Sequence, residues 1–449
     1  MRRPVALAAL GLCVAAAVLL FAAAASRAAG PSWVTWDQRI EVAAGNAHRG
    51  PWRMNRSNFD YVDDPTVAIT DQGVVAVAWV DQARQTVLLQ VYRPDGTTRF
   101  AAPVDVSRTP GIFSWLPRMV VSGGDAREVY VLWQEIVFSG GSHGGEIFFA
   151  RSIDGGASFT GPINLSNSLP GDGKGRLTAR RWHNGSLDLV QGPEGTLIAA
   201  WTEYEGTLWV SRSTDGGASF SKPLPVDPGP DAGPARGPSL AVGAAGTVHL
   251  AWTVGEDQAA DIRVATSRDQ GRTFGPPRIV GQSDGHADAP KLAVDGAGKV
   301  HLVYGESPTG PFARYHIRYT SSGNGGRTWA PPRPISGAHW RRFDSVGFPA
   351  LSLDGAGNLY VLWELFPDRR GYSRGLGITT SRDGGQSFAP PSVIPGTGDR
   401  ALGNNGGQQG LLMRKLAVNG AGALAVVNST FKRGETSHIW LIRGQAAGR

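Results

Sequence analysis

Arginine, tryptophan, histidine and amide side chains crowd into a few stretches between short apolar runs. One stretch holds His48, Arg49, Trp52, Arg53, Asn55 and Arg56, another Arg176, Arg180, Arg181, Trp182, His183 and Asn184, and a third His339, Trp340, Arg341, Arg342, Phe343 and Asp344. Smaller groups are Trp115 with Arg118, then Arg236, then His286 with Asp288, and a last set from Arg400 to Arg414 with Asn404, Asn405, Gln408 and Gln409. An acid also follows an aromatic at the end of an apolar run in six places, as Asp81, Glu135, Glu203, Glu256, Glu306 and Glu364. These residue types suit an acidic sugar. Tryptophan covers a pyranose face, arginine clamps a carboxylate through two parallel N–H donors, and an acid, or a tyrosine activated by one, acts at the anomeric carbon. The plainer reading is that the acids cap or pair within their own repeats and the arginines are solvated.

The elements that position these residues are repeats. An octet, Ser-x-Asp-x-Gly-x-Ser/Thr-aromatic, occurs at Ser152–Phe159, Ser213–Phe220, Ser267–Phe274 and Ser381–Phe388. Ser322–Trp329 carries Asn324 in place of the acid, and Arg93–Phe100 keeps little beyond Asp95 and the aromatic. The chemistry of the octet is that of a turn: carboxylate and hydroxyls bond to backbone, glycine permits positive φ, and the aromatic fills the gap between strands. Asp154, Asp215, Asp269, Asn324 and Asp383 are therefore expected to be structural. Between octets a strand, a glycine-bearing turn and a second strand ending on an aromatic recur, as in Pro65–Trp79, Gly185–Trp201 and Phe348–Trp363. Seven such units at steps of nearly sixty residues predict an all-β propeller of seven four-stranded blades. The last unit lacks room for a fourth strand, so Gln38–Ala43 is expected to supply it and close the ring. In such a meander the octets occupy one face, and the irregular stretches named above gather on the other.

Composition narrows the class. With 449 residues, 41% hydrophobic, 62 Gly and 14 Trp, the chain is a folded globular protein rich in short strands and turns. Its one cysteine, Cys13, excludes intrachain disulfides and cysteine-ligated zinc, and nine scattered histidines form no evident metal set, so no metal or cofactor is expected. Arg2, Arg3 and the apolar run Val5–Ala25 read as an export signal over residues 1–29, cleaved or retained as a single-span anchor, with the propeller domain over residues 30–449. The protein is thus expected outside the cytoplasm, secreted or periplasmic, touching membrane only through that segment. The net charge of +7 includes the leader's arginines and is spread too thinly for a nucleic-acid footprint.

The octets resemble the Asp-boxes of the sialidase (neuraminidase), or BNR-repeat, superfamily, over about residues 34 to 444. The resemblance implies a propeller, usually of six blades in that family, and an exo-alpha-sialidase-like glycoside hydrolase in which arginines hold the substrate carboxylate, an Asp serves as acid/base and a Tyr is activated by Glu. By position, Arg53, Arg181, Arg236 and Arg342 are the candidates for the clamp, Trp182 and Trp340 for stacking, Glu203 with Tyr204 for the nucleophile pair, and Asp60 or Asp81 for the acid. The chain departs from the family at its opening: Val62-Asp63-Asp64-Pro65 stands where an aromatic-Arg-Ile-Pro motif belongs, and the nearest Arg-x-Pro is Arg236-Gly237-Pro238. A propeller without catalysis that binds a glycan or a protein partner through the same face is the second reading.

Overall fold

The computed structural model describes residues 33–37, 39–53, 55–137, 145–167, 186–202, 206–229, 233–255, 260–281, 285–310, 313–337, 343–368, 371–405 and 414–447. The leader over residues 1–29 lies outside them. A short unit, Met1–Thr35 with Ala446–Arg449, is distinct from the main one, Trp36–Gln445. In the short unit the Ala447 N–H donates to the Trp33 carbonyl at 2.9 Å.

In the main unit the repeated strand pairs each grow into an antiparallel meander. The first blade is Val62–Ile69, Val75–Asp81, Thr86–Tyr92 and Val104–Asp105. The innermost strands of the next five are Ser114–Ser122, Leu187–Gln191, Ala235–Val242, His286–Val294 and Ser345–Leu353, each opening a four-stranded sheet. The seventh is made from both ends of the chain: Leu416–Val418 pairs with Ala423–Lys432, that strand with Thr436–Ala446, and Ile40–Asn46 adds to the outside, Ile40 opposite Leu441 and Gly45 opposite Ser437. Seven blades and N-terminal closure are thus as the repeats predict, and the six-bladed arrangement is not adopted. The closing strand runs further than the predicted Gln38–Ala43 because the hairpin it joins is long, and Ala423–Lys432 goes on to meet Asn404–Asn405.

The aromatics that end the second strands are the core. Trp79, Trp133, Trp201, Trp252, Tyr304 and Trp363 are all fully buried. Trp133 shares a cluster with Val80, Leu89 and Val91 of the preceding blade, and Trp252 one with Leu208 and Val210, so these clusters join neighbouring blades. Truncating one of the aromatics costs about 3 to 5 kcal/mol.

Each octet makes the same turn. Ser213 Oγ donates to Asp215 at 2.7 Å and accepts from Gly217 N–H at 2.8 Å, while Asp215 accepts from Ser219 N–H at 3.0 Å and Ser219 Oγ at 2.5 Å. Asp154, Asp269 and Asp383 repeat this pattern, and Asn324 keeps it by donating from its amide to Thr328 Oγ1 at 2.8 Å. The glycine is obligatory: Gly217 has φ 78° and Gly385 φ 83°, where a β-carbon would be strained. Asp95 instead accepts from Thr97, two residues on, which explains its degenerate sequence. Burial pushes the Asp269 carboxyl up, but bonds from Thr273 and Ser267 outweigh it and hold it at about 2. Asp215→Ala should lower the unfolding free energy by about 1 to 2 kcal/mol, the modest loss expected at an exposed turn, with ligand binding unchanged. Denaturant titration beside a binding isotherm checks both halves.

A second device repeats in the innermost strands. In five of them a residue with positive φ precedes proline: Asp64 (51°), Leu116 (53°), Gly237 (60°), Ala289 (56°) and Phe348 (51°). The pairing register shifts at each, for example between Arg236 and Ser239 and between Asp288 and Lys291. Proline offers no N–H to the ladder and disfavours helical backbone in the residue before it, so the strand bulges there. The bulge separates what lies at the strand's beginning, on the face away from the octets, from what lines the central channel.

Candidate functional site

Where the fourth and fifth blades meet, on the face away from the octets, four side chains converge. Arg236 opens its innermost strand just before the bulge, and its guanidinium donates to His286 Nε2 at 2.9 Å and approaches Asp288 at 3.4 Å. Asp288, just before the next bulge, also accepts from Thr253 Oγ1 at 3.0 Å and the Ala289 N–H at 2.7 Å. The Tyr315 ring stands at 86° to the His286 ring, with centroids 6.1 Å apart. Burial pushes the Asp288 carboxyl up, yet His286 and the Arg236 guanidinium hold it at about 2, so it is a fixed anion. Burial, then the Asp288 charge, raises the Tyr315 phenol, which keeps its proton at neutral pH. His286 is enclosed, whereas a quarter of the Arg236 side chain remains open. A guanidinium oriented by two partners and still partly exposed has donors that can meet a carboxylate.

The other sequence-predicted residues lie elsewhere. Arg53 is exposed, its N–H bonded to Ser57 Oγ at 2.6 Å, and its neighbour Asn55 is bonded to Phe113 and Ile136 of the second blade rather than to the Arg236 cluster. Near it Asp60 accepts from Asn46 Nδ2 at 2.6 Å, in the two-stranded pairing of His48–Arg49 with Phe59–Asp60. Asp81 accepts from the Arg84 N–H at 3.1 Å and faces its guanidinium at 3.4 Å. Arg181, Trp182, Glu203, Tyr204, Trp340 and Arg342 lie outside the described residues. Of the six acids that follow apolar runs, the four described ones have protein partners: Asp81 has Arg84, Glu135 has Thr109 and Trp133, Glu306 has Arg318, and Glu364 forms a buried ion pair with Lys415 beside the seventh blade's first strand.

Glu135 is fully buried, and burial lifts its carboxyl from 4.5 to about 7. The folded state therefore holds a proton that the unfolded chain releases, so this group's contribution to stability is greatest below pH 4.5 and declines as pH rises to about 7. Glu135→Gln keeps an acceptor for Thr109 and the Trp133 indole without the charge. It should remove that decline, on the order of 3 kcal/mol at pH 8, and urea unfolding across the range reads it directly. An unaltered pH slope would show that Glu135 stays ionised in the fold.

A second polar group lies inside the channel, where Arg118 and Arg414, two of the arginines singled out between the strand pairs, meet Asp188 and Lys291, which the sequence did not single out. A cavity of about 280 Å³ there is lined by Arg118, Asp188, Lys291 and Arg414. Arg118 and Lys291 directly follow the bulge prolines, Pro117 and Pro290, and that recurrence in the sequence is the signal that finds them. Arg414 donates to Asp188 at 2.7 Å, and Asp188 also accepts from the Leu240 N–H at 2.8 Å, tying the third blade to the fourth. Among the described residues, no three His, Cys, Asp or Glu side chains gather as a metal site requires.

No family model and no curated protein sequence matches this chain. Solved structures with a similar fold do. The polysaccharide lyase Uly1 is 12% identical with a TM-score of 0.54, covering 92% of this chain and 100% of its own. An ulvan lyase of polysaccharide lyase family PL25 is 11% identical with a TM-score of 0.53, covering 90% of this chain and 95% of its own. The Hadza microbial sialidase Hz136 is 16% identical with a TM-score of 0.44, over 74% of this chain, which spans only 66% of the sialidase's length. At these identities the likeness to the two lyases establishes the propeller fold.

Proposed function

We propose that this chain binds glycans bearing an acidic sugar, with the sugar carboxylate on Arg236 and the neighbouring residues along the face away from the octets. The observation that carries this reading is the anchoring of Arg236 by His286 and Asp288 with part of its guanidinium left open. The octets, read as Asp-boxes, supply the scaffold, and the apolar leader supports export to the periplasm or medium. If the site is catalytic, its chemistry suits elimination better than hydrolysis. Neutralising a uronate carboxylate acidifies the proton on the adjacent carbon. Loss of that proton to a base, with cleavage of the bond to the leaving oxygen, forms a carbon–carbon double bond, and a phenol such as Tyr315 can return a proton to the departing oxygen. Hydrolysis of a sialoside calls for a carboxyl that can donate a proton, whereas Asp288 is held as an anion. The names of the two similar lyases agree with this preference, although the residues of the cluster are its basis.

Incubation with a uronate polysaccharide and, separately, with an aryl sialoside discriminates the readings. Ultraviolet absorbance of an unsaturated sugar signals elimination, and released sialic acid signals the hydrolysis for which Glu203, Tyr204, Arg181 and Arg342 are the candidates. Binding without either product leaves a glycan receptor. Absence of binding to any acidic glycan refutes the proposal and directs attention to a protein partner.

A further inference from the structure

The site around Arg236 continues past Tyr315 into the sixth blade, and the continuation is aromatic. We propose that Phe348 and Phe366 form an apolar platform on which a neutral sugar of the same acidic glycan rests, so that the protein reads a stretch of chain rather than one uronate. This deepens the glycan reading and rests on it.

Three contacts join the fifth blade to the sixth here. The Tyr315 N–H donates to Ser345 Oγ at 2.9 Å, the Val346 N–H donates to the Tyr315 carbonyl at 3.4 Å, and the Arg314 guanidinium donates to Asp344 at 2.6 Å. Ser345 stands opposite Phe366 in the first strand pair of the sixth blade, and residues paired in this way send their side chains to the same side of a sheet. The Ser345 hydroxyl points at the fifth blade, so the Phe366 ring leans that way too. Gly347, two residues on from Ser345, shares that side, and a β-carbon placed on it would lie 3.5 Å from Phe366 Cε2. Two residues before the bulge proline, Gly347 holds the place that Arg236 holds in the fourth blade and Asp288 in the fifth. The sixth blade thus puts bare backbone and a ring where its neighbours put charges.

Phe348 follows, and its ring lies 6.2 Å from that of Phe366 at 47°. Its φ of 51° is costly for a bulky side chain, and among the five positive-φ bulge residues it alone is aromatic. Both rings are half-buried, unlike the core aromatic Trp363 of the same blade, which is enclosed outright. The ring carbons of a sugar present an apolar face that phenyl rings cover, while its hydroxyls stay with water or with polar groups at the rim. Continuity with the donors of Arg236 favours a ligand that carries an acid and an apolar face in one chain.

Calorimetric titration with glucuronate and with glucuronate-containing oligosaccharides of two to six residues tests the platform. Affinity should rise by about tenfold or more over glucuronate alone once the chain is long enough to reach the sixth blade. Phe366→Ala should abolish most of that gain while leaving the affinity for glucuronate itself unchanged, a split that Arg236→Ala, which weakens both, does not give. Because loss of a half-buried ring can disturb the blade, Phe348→Gly is the second variant: glycine adopts this backbone without steric cost, so the fold should be kept while the gain falls. An oligosaccharide series no tighter than glucuronate, or a gain unchanged in the folded variants, would overturn the platform and leave the carboxylate on Arg236 in place. If no member of the series binds, the glycan reading fails and the platform falls with it.

Discussion

Removal of residues 33–46 should unfold the propeller rather than trim it. The strand Ile40–Asn46 is the outer strand of the seventh blade, and its loss exposes Thr436–Leu441 as an edge. Ile40, Val42 and Ala43 also leave a cluster that contains Val62, Trp79 and Leu441, so the first blade is opened along with the seventh. Ser437 ties the same junction: its hydroxyl donates to the Asn46 carbonyl and accepts from the Val62 N–H at 3.0 Å. Several ladder bonds and a few apolar side chains together amount to roughly 5 kcal/mol or more, comparable with the whole stability of many domains. The truncated protein is expected to aggregate or to lose its cooperative thermal transition. A sharp transition at the original temperature would mean that the closing strand contributes nothing to the ring. The milder Ser437→Ala should cost about 1 to 3 kcal/mol, since it leaves the Val62 N–H buried without its partner.

The parts of this fold that could be read in advance are those whose physics is local. An octet turn is specified within eight residues, because Asp215 bonds to Ser213 and Ser219 and Gly217 needs positive φ, so sequence alone reveals it. The buried aromatics were legible for a similar reason: Trp79, Trp133, Trp201, Trp252, Tyr304 and Trp363 end the second strands at matching positions in successive units. The site was legible only in part. Arg236, His286 and Asp288 were visible as polar residues between blades, but their convergence depends on bulges that set where each side chain emerges. Tyr315 directly precedes a third strand, His316–Ser322, where nothing local distinguishes it from a core tyrosine such as Tyr319. Lys291 reads as an ordinary strand lysine unless the proline before it is recognised as a bulge marker. Pairings across some fifty residues, such as Arg236 with Asp288, are set by blade packing, which no single repeat encodes.

The sharpest functional expectation concerns Arg236. In Arg236→Ala the fold should survive, because Asp288 retains the Thr253 hydroxyl and the Ala289 N–H, and His286 keeps its packing against Tyr315. Loss of the guanidinium should nonetheless cost an acidic oligosaccharide about 2 to 4 kcal/mol of affinity, or two to three decades. The lower end is the better expectation, since part of the Arg236 side chain is open to water. Arg236→Lys distinguishes a fork from a point charge. A lysine there retains the positive charge but cannot offer two parallel donors, so most of the loss should persist if the ligand carboxylate is held in bidentate fashion. Calorimetric titration of both variants, each checked by thermal melting, separates binding from folding. If the alanine variant binds as the wild type does, the carboxylate is held elsewhere, and the unassigned arginines Arg181 and Arg342 become the residues to test. If both variants fail while Tyr315→Phe binds normally and loses only turnover, the division of labour is fixed: Arg236 recognises the acid and the Tyr315 phenol moves the proton.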